Sequence, residues 1–348
     1  MSSPRLTAAL AGTGGALKTS PEDFVVEEVP AYPPSGAGGH TFLFIEKRGI
    51  TTEEALARIA RATGAPRAAL GAAGMKDRHA VTRQWISVPD LDPEAARVLP
   101  VADVRVLAAE RHGHKLRTGH LRGNRFRVVL RGLACAPDDA LARARAVLAA
   151  LAATGLPNRF GPQRFGARGD NAERGRALLT GGERRRLDRG ERRLLVSAFQ
   201  SDLFNRCLDA RLADDLLREP LAGDVLRKRE SGGLFTVAEG ELAEARARLS
   251  ADELDVTGPM FGHKMKAPPP GSPAAAREDA VWAAGGVPPA ALAEMGAIAE
   301  GTRRPFTVPI GEPEAAIGEG GEADALVIAF SLPSGAYATV LIDEIAKV

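Results

Sequence analysis

Cysteine is nearly absent. Cys135 and Cys207 are the only two in 348 residues, and they stand in no metal-ligand spacing. Both are read as reduced thiols, which points to a cytosolic protein. Long apolar runs are missing too. None reaches the roughly 18 residues of a membrane helix, and neither end reads as a signal peptide, so a cytoplasmic chain with no membrane association is expected. Six histidines form no HExxH or other metal-binding pair, which leaves a zinc mechanism without ligands. No GxSxG nucleophile elbow occurs. The stretch GTGGALKTS (12–20) imitates a phosphate loop, but a Walker A motif needs glycine immediately before its lysine, and Leu17 stands there. Net charge is only +2, so bulk charge does not signal nucleic acid. There is no internal repeat.

What is present suits two domains, by length and by an ordinary globular composition of 45% hydrophobic and 26% charged residues. Charge is unevenly placed. Residues 111–131 hold seven Lys/Arg, three His and no acid, and residues 159–193 hold eleven Arg against five acids. Arg dominates both runs, and its planar fork grips phosphate and stacks on bases. A solvated basic face is the alternative account of the same runs.

Periodicity predicts strands at EDFVVEEV (22–29) and HTFLFIEKRG (40–49), then a helix at TTEEALARIARATG (51–64), capped by Thr51 or Thr52 and ended by Gly64. RQWISV (83–88) and NRFRVVLRG (124–132) read as strands. PDDALARARAVLAALAATG (137–155) reads as a helix. In VSAFQSDLFNRCLDARL (196–212), Ser197 with Gln200 makes a possible capping box, and Phe199, Leu203, Cys207 and Leu208 share one face. Residues 268–286, rich in Pro, Ala and Gly, suggest a surface excursion. The end of the chain reads as a buried strand and then a helix that Ser334 can cap. Strands and helices mix without a regular βαβ rhythm, which favours an α+β fold with a mixed sheet.

Two segments carry chemistry. In GAAGMKDRHAVTRQW (71–85), Asp77 lies between Lys76 and Arg78 after a glycine turn. Neighbouring positive charge favours an ionised carboxylate, which can act as nucleophile, general base or plain ion-pair partner. His79 is either a base or an ordinary loop histidine. In LPNRFGPQRFGARGDN (156–171), Phe160 and Phe165 each precede a glycine, so either ring can approach a flat group closely. An aromatic beside Arg in such a turn suits an unpaired base, and each Phe can equally anchor the loop to the core, Phe165 the more so.

GMKDRHAVTRQW, LPNRFGPQRFG, SAFQSDLFNR and LPSGAYATVLIDEI, together with GALKTSPEDFVVEE near the start, resemble the signature segments of the TruD family of tRNA pseudouridine synthases, in the family's order. The resemblance weakens over 212–302. It implies isomerisation of a tRNA uridine, typically at position 13, to pseudouridine, with no cofactor and no metal. It implies a mixed-sheet catalytic domain (1–182 plus 303–348) interrupted by an inserted second α/β domain (183–302). Asp77 falls on the family's catalytic aspartate and Lys18 on the lysine expected to pair with it. Asn158 and Phe160 fall on the residues that hold and stack the target base. Arg159 departs from an often aromatic position and is given no base contact.

On this reading the partner is tRNA, with no obligate protein partner evident. Lys76, Arg78, Arg117, Arg122, Arg164 and Arg168 are the candidate RNA contacts, with Lys76 and Arg78 placing either phosphates or the loop itself. A target base must leave its stack to be reached, and an aromatic ring compensates part of that cost. Two rivals remain. A non-catalytic RNA-binding protein would have no use for Asp77. A carboxylate-pair hydrolase would need Glu27, Glu28 or Asp343 beside Asp77, and nothing in the sequence places them there.

Overall fold

The computed structural model describes residues 4–348, which divide into two compact bodies. The sheet body comprises Ala9–Ala150, Pro309–Ala338 and Ile345–Val348. The second body comprises residues 4–8, Leu151–Val308 and Thr339–Glu344. It begins ahead of the expected insertion limit at Glu183. Local bonding explains this, because residues 155–165 are tied to 197–205 and 304–307 by the contacts described below.

In chain order the sheet body forms β1 (Gly14–Leu17), β2 (Phe24–Pro30), β3 (His40–Arg48), α1 (Thr52–Thr63), β4 (Gly71–Ala72), β5 (Val81–Pro89), α2 (Pro93–Arg97), β6 (Val104–His112), β7 (Leu121–Leu133) and α3 (Pro137–Thr154), the last of which runs on into the second body's range. The second body then forms β8 (Leu156–Pro157), α4 (Asn171–Leu179), α5 (Arg189–Ala213), β9 (Val225–Lys228), β10 (Leu234–Thr236), α6 (Leu242–Ser250), β11 (Leu254–Met260), α7 (Pro273–Gly285), α8 (Ala290–Glu294), β12 (Thr302–Pro305) and β13 (Thr307–Val308). β14 (Gly311–Ile317), β15 (Leu326–Pro333) and α9 (Ala338–Ala346) follow.

The sheet body is built on a nine-stranded sheet with the main order β14-β15-β7-β2-β5-β3-β6, β1 adding to β7 and β4 to β5. β2 and β5 run parallel while β7 lies antiparallel to both β2 and β15, so the sheet is mixed as expected. α1 forms where the capping signal stands. The Thr51 hydroxyl accepts from the Glu54 N–H at 3.2 Å, the Glu54 carboxylate accepts from the Thr51 N–H at 2.6 Å, and Gly64 closes the helix at φ +72°. Its apolar stripe, Ala55, Leu56, Ile59 and Ala60, is buried with Leu43, Ile45, Ile86 and Val88 of β3 and β5. This core stiffens β5, the strand that leaves the Asp77 loop.

The second body carries an antiparallel sheet, order β10-β9-β11-β12. Phe199, Leu203, Cys207 and Leu208 are buried on α5, as their spacing predicts, and burial pushes the Cys207 thiol up to about 12. Three local expectations are corrected here. α5 starts at Arg189, where Asp188 and Glu191 cap each other reciprocally at 2.8 and 3.1 Å, so Ser197 and Gln200 are mid-helix and cap nothing. The true cap lay inside the arginine-rich run, read for its charge rather than for its D-x-x-E spacing. Within 268–286 the chain is mostly α7, with the Ser272 hydroxyl accepting from the Ala275 N–H at 3.1 Å, because alanine-rich sequence favours helix once a cap is supplied. Ser334 lies four residues before α9, and its N–H donates to the Arg122 carbonyl at 3.0 Å, so it is not the cap.

Candidate active site

Asp77 sits in the loop between β4 and β5, and three backbone groups of residues 73–76 are held. Gly71 enters the loop where a Cβ would meet the Leu116 carbonyl oxygen at 2.1 Å, so no larger residue fits. The Ala73 carbonyl accepts from the Gly119 N–H at 2.8 Å, and the Lys76 N–H donates to the Thr52 hydroxyl at 2.8 Å. That hydroxyl donates in turn to the Gln84 side-chain oxygen at 2.8 Å, and the Gln84 amide reaches the Gly74 carbonyl at 3.3 Å.

The Lys76 ammonium points inward. It donates to the Glu28 carboxylate at 2.7 Å, with the two side chains only 6% and 1% exposed, and Glu28 also accepts from the Trp85 N–H at 3.3 Å. Lys76 is therefore a buried anchor of the loop, the second of the two roles expected of it, and it is not placed to contact phosphate. Separating it from Glu28 would strand a buried charge.

The Asp77 carboxylate remains accessible, with its side chain 46% exposed. One oxygen accepts from the Lys18 ammonium at 2.5 Å, the other from the His79 N–H at 3.3 Å. His79 thus touches the acid through its backbone rather than its ring. Burial pushes the Asp77 carboxyl up, but the Lys18 hydrogen bond and charge, with the His79 and Arg78 N–H groups, hold it below the usual aspartate value. Lys18 follows β1 in a left-handed conformation, φ +61°, which costs a non-glycine residue about 1–2 kcal/mol. That turn aims its amine at Asp77 and over the Phe24 ring, 4.5 Å from the centroid.

Within the sheet body Glu28 is committed to Lys76, and Glu27 lies 3.4 Å from Arg83 and 3.7 Å from Arg125. In the second body Asp343 binds Arg5 through two hydrogen bonds of 2.8 and 2.9 Å. Each acid offered for a carboxylate pair already has its own cation.

The second body holds the other candidates. Asn158 and Phe160 follow β8, which pairs with β13. The Asn158 N–H donates to the Phe306 carbonyl at 2.8 Å, and its side-chain amide to the Pro305 carbonyl at 2.9 Å. Its side-chain oxygen accepts from Arg304. The Asn205 side chain clamps the Phe160 backbone from both sides, accepting its N–H at 2.9 Å and donating to its carbonyl at 3.1 Å. The Phe160 ring is 9% exposed, meets Phe204 edge-on at 5.7 Å, and carries the Arg304 guanidinium 4.1 Å from its centroid.

Phe160 is thus the more buried of the two loop phenylalanines, and Phe165 is only half-buried, which reverses the expected order of anchors. Arg304 and Asn205 are the residues that sequence reasoning missed. Arg304 organises both candidates at once, and its one signal was a basic doublet ahead of Pro305-Phe306 that the sequence reading did not single out. Arg159, given no base contact, is buried and paired with Asp209.

Of the proposed phosphate contacts, Arg117, Arg122 and Arg168 are exposed with no ion-pair partner among the described residues, and Arg78 pairs with Glu54 at the surface. Arg164 is engaged by the Ser197 and Ser201 hydroxyls. Among the described residues no group of three or more His, Cys, Asp or Glu side chains could hold a metal ion, and no helix is long and apolar enough to cross a membrane.

A mixed-sheet body that presents an ionised aspartate on a buttressed loop defines the class, and comparison with known proteins defines the family. The sequence model of the family "tRNA pseudouridine synthase D (TruD)" matches residues 3–188 and 183–345. A protein named tRNA pseudouridine synthase D from Anaeromyxobacter sp. (strain Fw109-5) is 48% identical over 99% of this chain and 96% of its own length. One of the same name from Thermus thermophilus is 42% identical over 99% and 92%. A crystal structure from Methanosarcina mazei, described as a candidate tRNA pseudouridine synthase D, superimposes with a TM-score of 0.80 at 22% identity, covering 98% of this chain and 95% of that one. This chain belongs to the TruD family.

Proposed function

We propose that this protein is a tRNA pseudouridine synthase that acts in the cytoplasm on a uridine of tRNA, position 13 by family resemblance, with Asp77 as the reacting carboxylate. One observation carries the reading: in a TruD-family chain, the loop acid is accessible, ionised and paired with Lys18. The reaction breaks the bond from N1 of uracil to C1′ of the ribose and makes one from C5 to C1′. The C5 proton is lost and N1 gains one, so RNA mass is unchanged and no oxidant, reductant, metal or cofactor enters the balance. The carboxylate works at the sugar, by attack on C1′ or by taking the C2′ proton, and both routes need it ionised.

The Phe160 ring and the Arg304 guanidinium lie together, 4.1 Å from centroid to guanidinium carbon, and both groups are of the kind against which an unstacked pyrimidine rests. Asn158 sets that pair through Arg304. Arg78, Arg117, Arg122, Arg164 and Arg168 serve the phosphate backbone, which carries affinity without sequence information. The domain limits expected from sequence, 183–302 for the insertion, are proposed with the first residues of the compact body, from Leu151, added to it.

The test is incubation of purified protein with unmodified tRNA, followed by nucleotide mapping of pseudouridine and measurement of RNA mass and free uracil. Pseudouridine at unchanged mass is expected. Free uracil would instead favour the hydrolase, and binding with no conversion would favour the non-catalytic reading. Binding is expected to weaken steeply as salt rises to physiological levels.

Lys18→Met removes the charge that lowers the Asp77 carboxyl, while the burial that raises it stays. The acid side of the pH–rate profile is therefore expected to move to higher pH. A limb that stays at the wild-type position would show that Lys18 does not set the charge state of Asp77.

A further inference from the structure

One buried cation has no part in the chemistry above. Lys47, on β3, is 1% exposed, and an ammonium is costly to bury unless its protons are used. Its Nζ donates to two main-chain carbonyls, those of Ile50 at 2.6 Å and Asp77 at 2.8 Å. No carboxylate among the described residues forms an ion pair with it. The first bond ties down the turn that leads into α1, whose Thr52 hydroxyl holds the Lys76 N–H. The second grips the very residue whose side chain faces Lys18. A methionine would fill the same volume, so what lysine adds at this position is the pair of bonds.

We propose that Lys47 is a positioning residue for the isomerisation: its buried ammonium fastens the Asp77 main chain so that the carboxylate keeps its aim, and the enzyme slows when that ammonium loses its proton. This rests on the reading of Asp77 as the reacting carboxylate. The groups that face Lys47 come from the β4–β5 loop, α1, β5 and β6. Burial is the largest influence and lowers its pKa from the ordinary 10.5 to about 8; the Asp77 and Glu54 charges oppose this, and Lys76 and Arg78 add to it. Its register partners on β5 and β6, Thr82 and Val104, are uncharged.

Below about pH 8 Lys47 is an ammonium with three N–H groups, and above it an amine with two and a lone pair turned toward carbonyl oxygens. The folded value lies under the unfolded one, so across that window the unfolded chain binds more protons and Lys47 contributes more to stability as pH rises. Activity lost there through Lys47 is therefore not loss of fold.

The test is the single-turnover rate of pseudouridine formation with saturating full-length protein, from about pH 6 to about pH 9, in wild type, Lys47→Met and Lys47→Arg, with Tm and tRNA affinity at each pH. Lys47→Met is expected to be on the order of 100-fold slower at neutral pH, the penalty of a small misplacement of a reacting group. The ratio of wild-type to Lys47→Met rate should then shrink across pH 8. Ionisation of uridine itself is common to both proteins and cancels in that ratio. Arg does not deprotonate in this range, so a folded Lys47→Arg should lack the decline.

A Lys47→Met rate that matches wild type, or that falls only in step with Tm at an unchanged pH profile, overturns the proposal. If neither variant folds, a wild-type rate flat across pH 8 overturns it, and a decline with undiminished Tm, centred near pH 8 and below the separately titrated ionisation of uridine in the same tRNA, supports it. Asp77→Asn is run alongside. If that variant is active, the reading of the site fails; if it is inactive while Lys47→Met is unaltered, only the role of Lys47 fails.

Discussion

Asp77→Asn is expected to lower the rate of pseudouridine formation by at least about a thousandfold, equivalent to about 4 kcal/mol of transition-state stabilisation, while tRNA binding and Tm stay near wild type. Asparagine keeps the size of the side chain and one of the two acceptor oxygens, so it can still accept from either Lys18 or the His79 N–H, though not from both. What it loses is the charge that allows attack on C1′ or removal of the C2′ proton. Little stability depends on that charge, because the Asp77 side chain is 46% exposed and a solvent-screened pair contributes about 0–1 kcal/mol. Single-turnover kinetics and a binding titration on the same tRNA separate the two effects. A variant that turns over within about tenfold of wild type would remove Asp77 from the chemistry and leave the non-catalytic reading standing.

The second large effect belongs to Phe160, and the structure decides which substitution can reveal it. Phe160→Ala would empty a site that is only 9% exposed, and truncation of a buried phenylalanine costs about 3–5 kcal/mol of stability, which confounds any activity loss. Phe160→Leu keeps most of the volume beside Phe204 but removes the ring on which Arg304 lies. Loss of a stack worth about 1–3 kcal/mol predicts a rate roughly 5- to 150-fold lower at nearly unchanged tRNA affinity. The check is to plot rate against Tm for Phe160→Leu. A rate unchanged by the loss of the ring, or lost only in proportion to Tm, would make Phe160 a core anchor for Arg304 and Asn158 and nothing more.

Much of the local architecture was legible because it depends on short-range chemistry. The Thr51–Glu54 spacing favours a capping box, and the apolar segment near the end of the chain, read as a buried strand, forms β15 with Leu326, Ile328, Phe330 and Leu332 buried. The start of α5 was missed although its D-x-x-E signal was present, because six arginines at 184–193 drew attention to charge. Lys76 was left with two roles for a deeper reason. Flanking Asp77, it looks like one of two equivalent surface cations, yet it is buried on Glu28 while Arg78 stays outside. A loop has no fixed period, so sequence does not say which way successive side chains turn.

The sequence by itself determined the family, through its motifs, and the α+β class, and it singled out Asp77; that Lys18 pairs with it came only as what the family resemblance implied. Only the tertiary structure decided what each polar group is free to do. Glu28 is 48 residues from Lys76, Lys47 is 30 from Asp77, and Arg304 is 146 from Asn158. Burial and hydrogen-bond partnership are set by chain segments brought together from such distances, and no local pattern of residues encodes them.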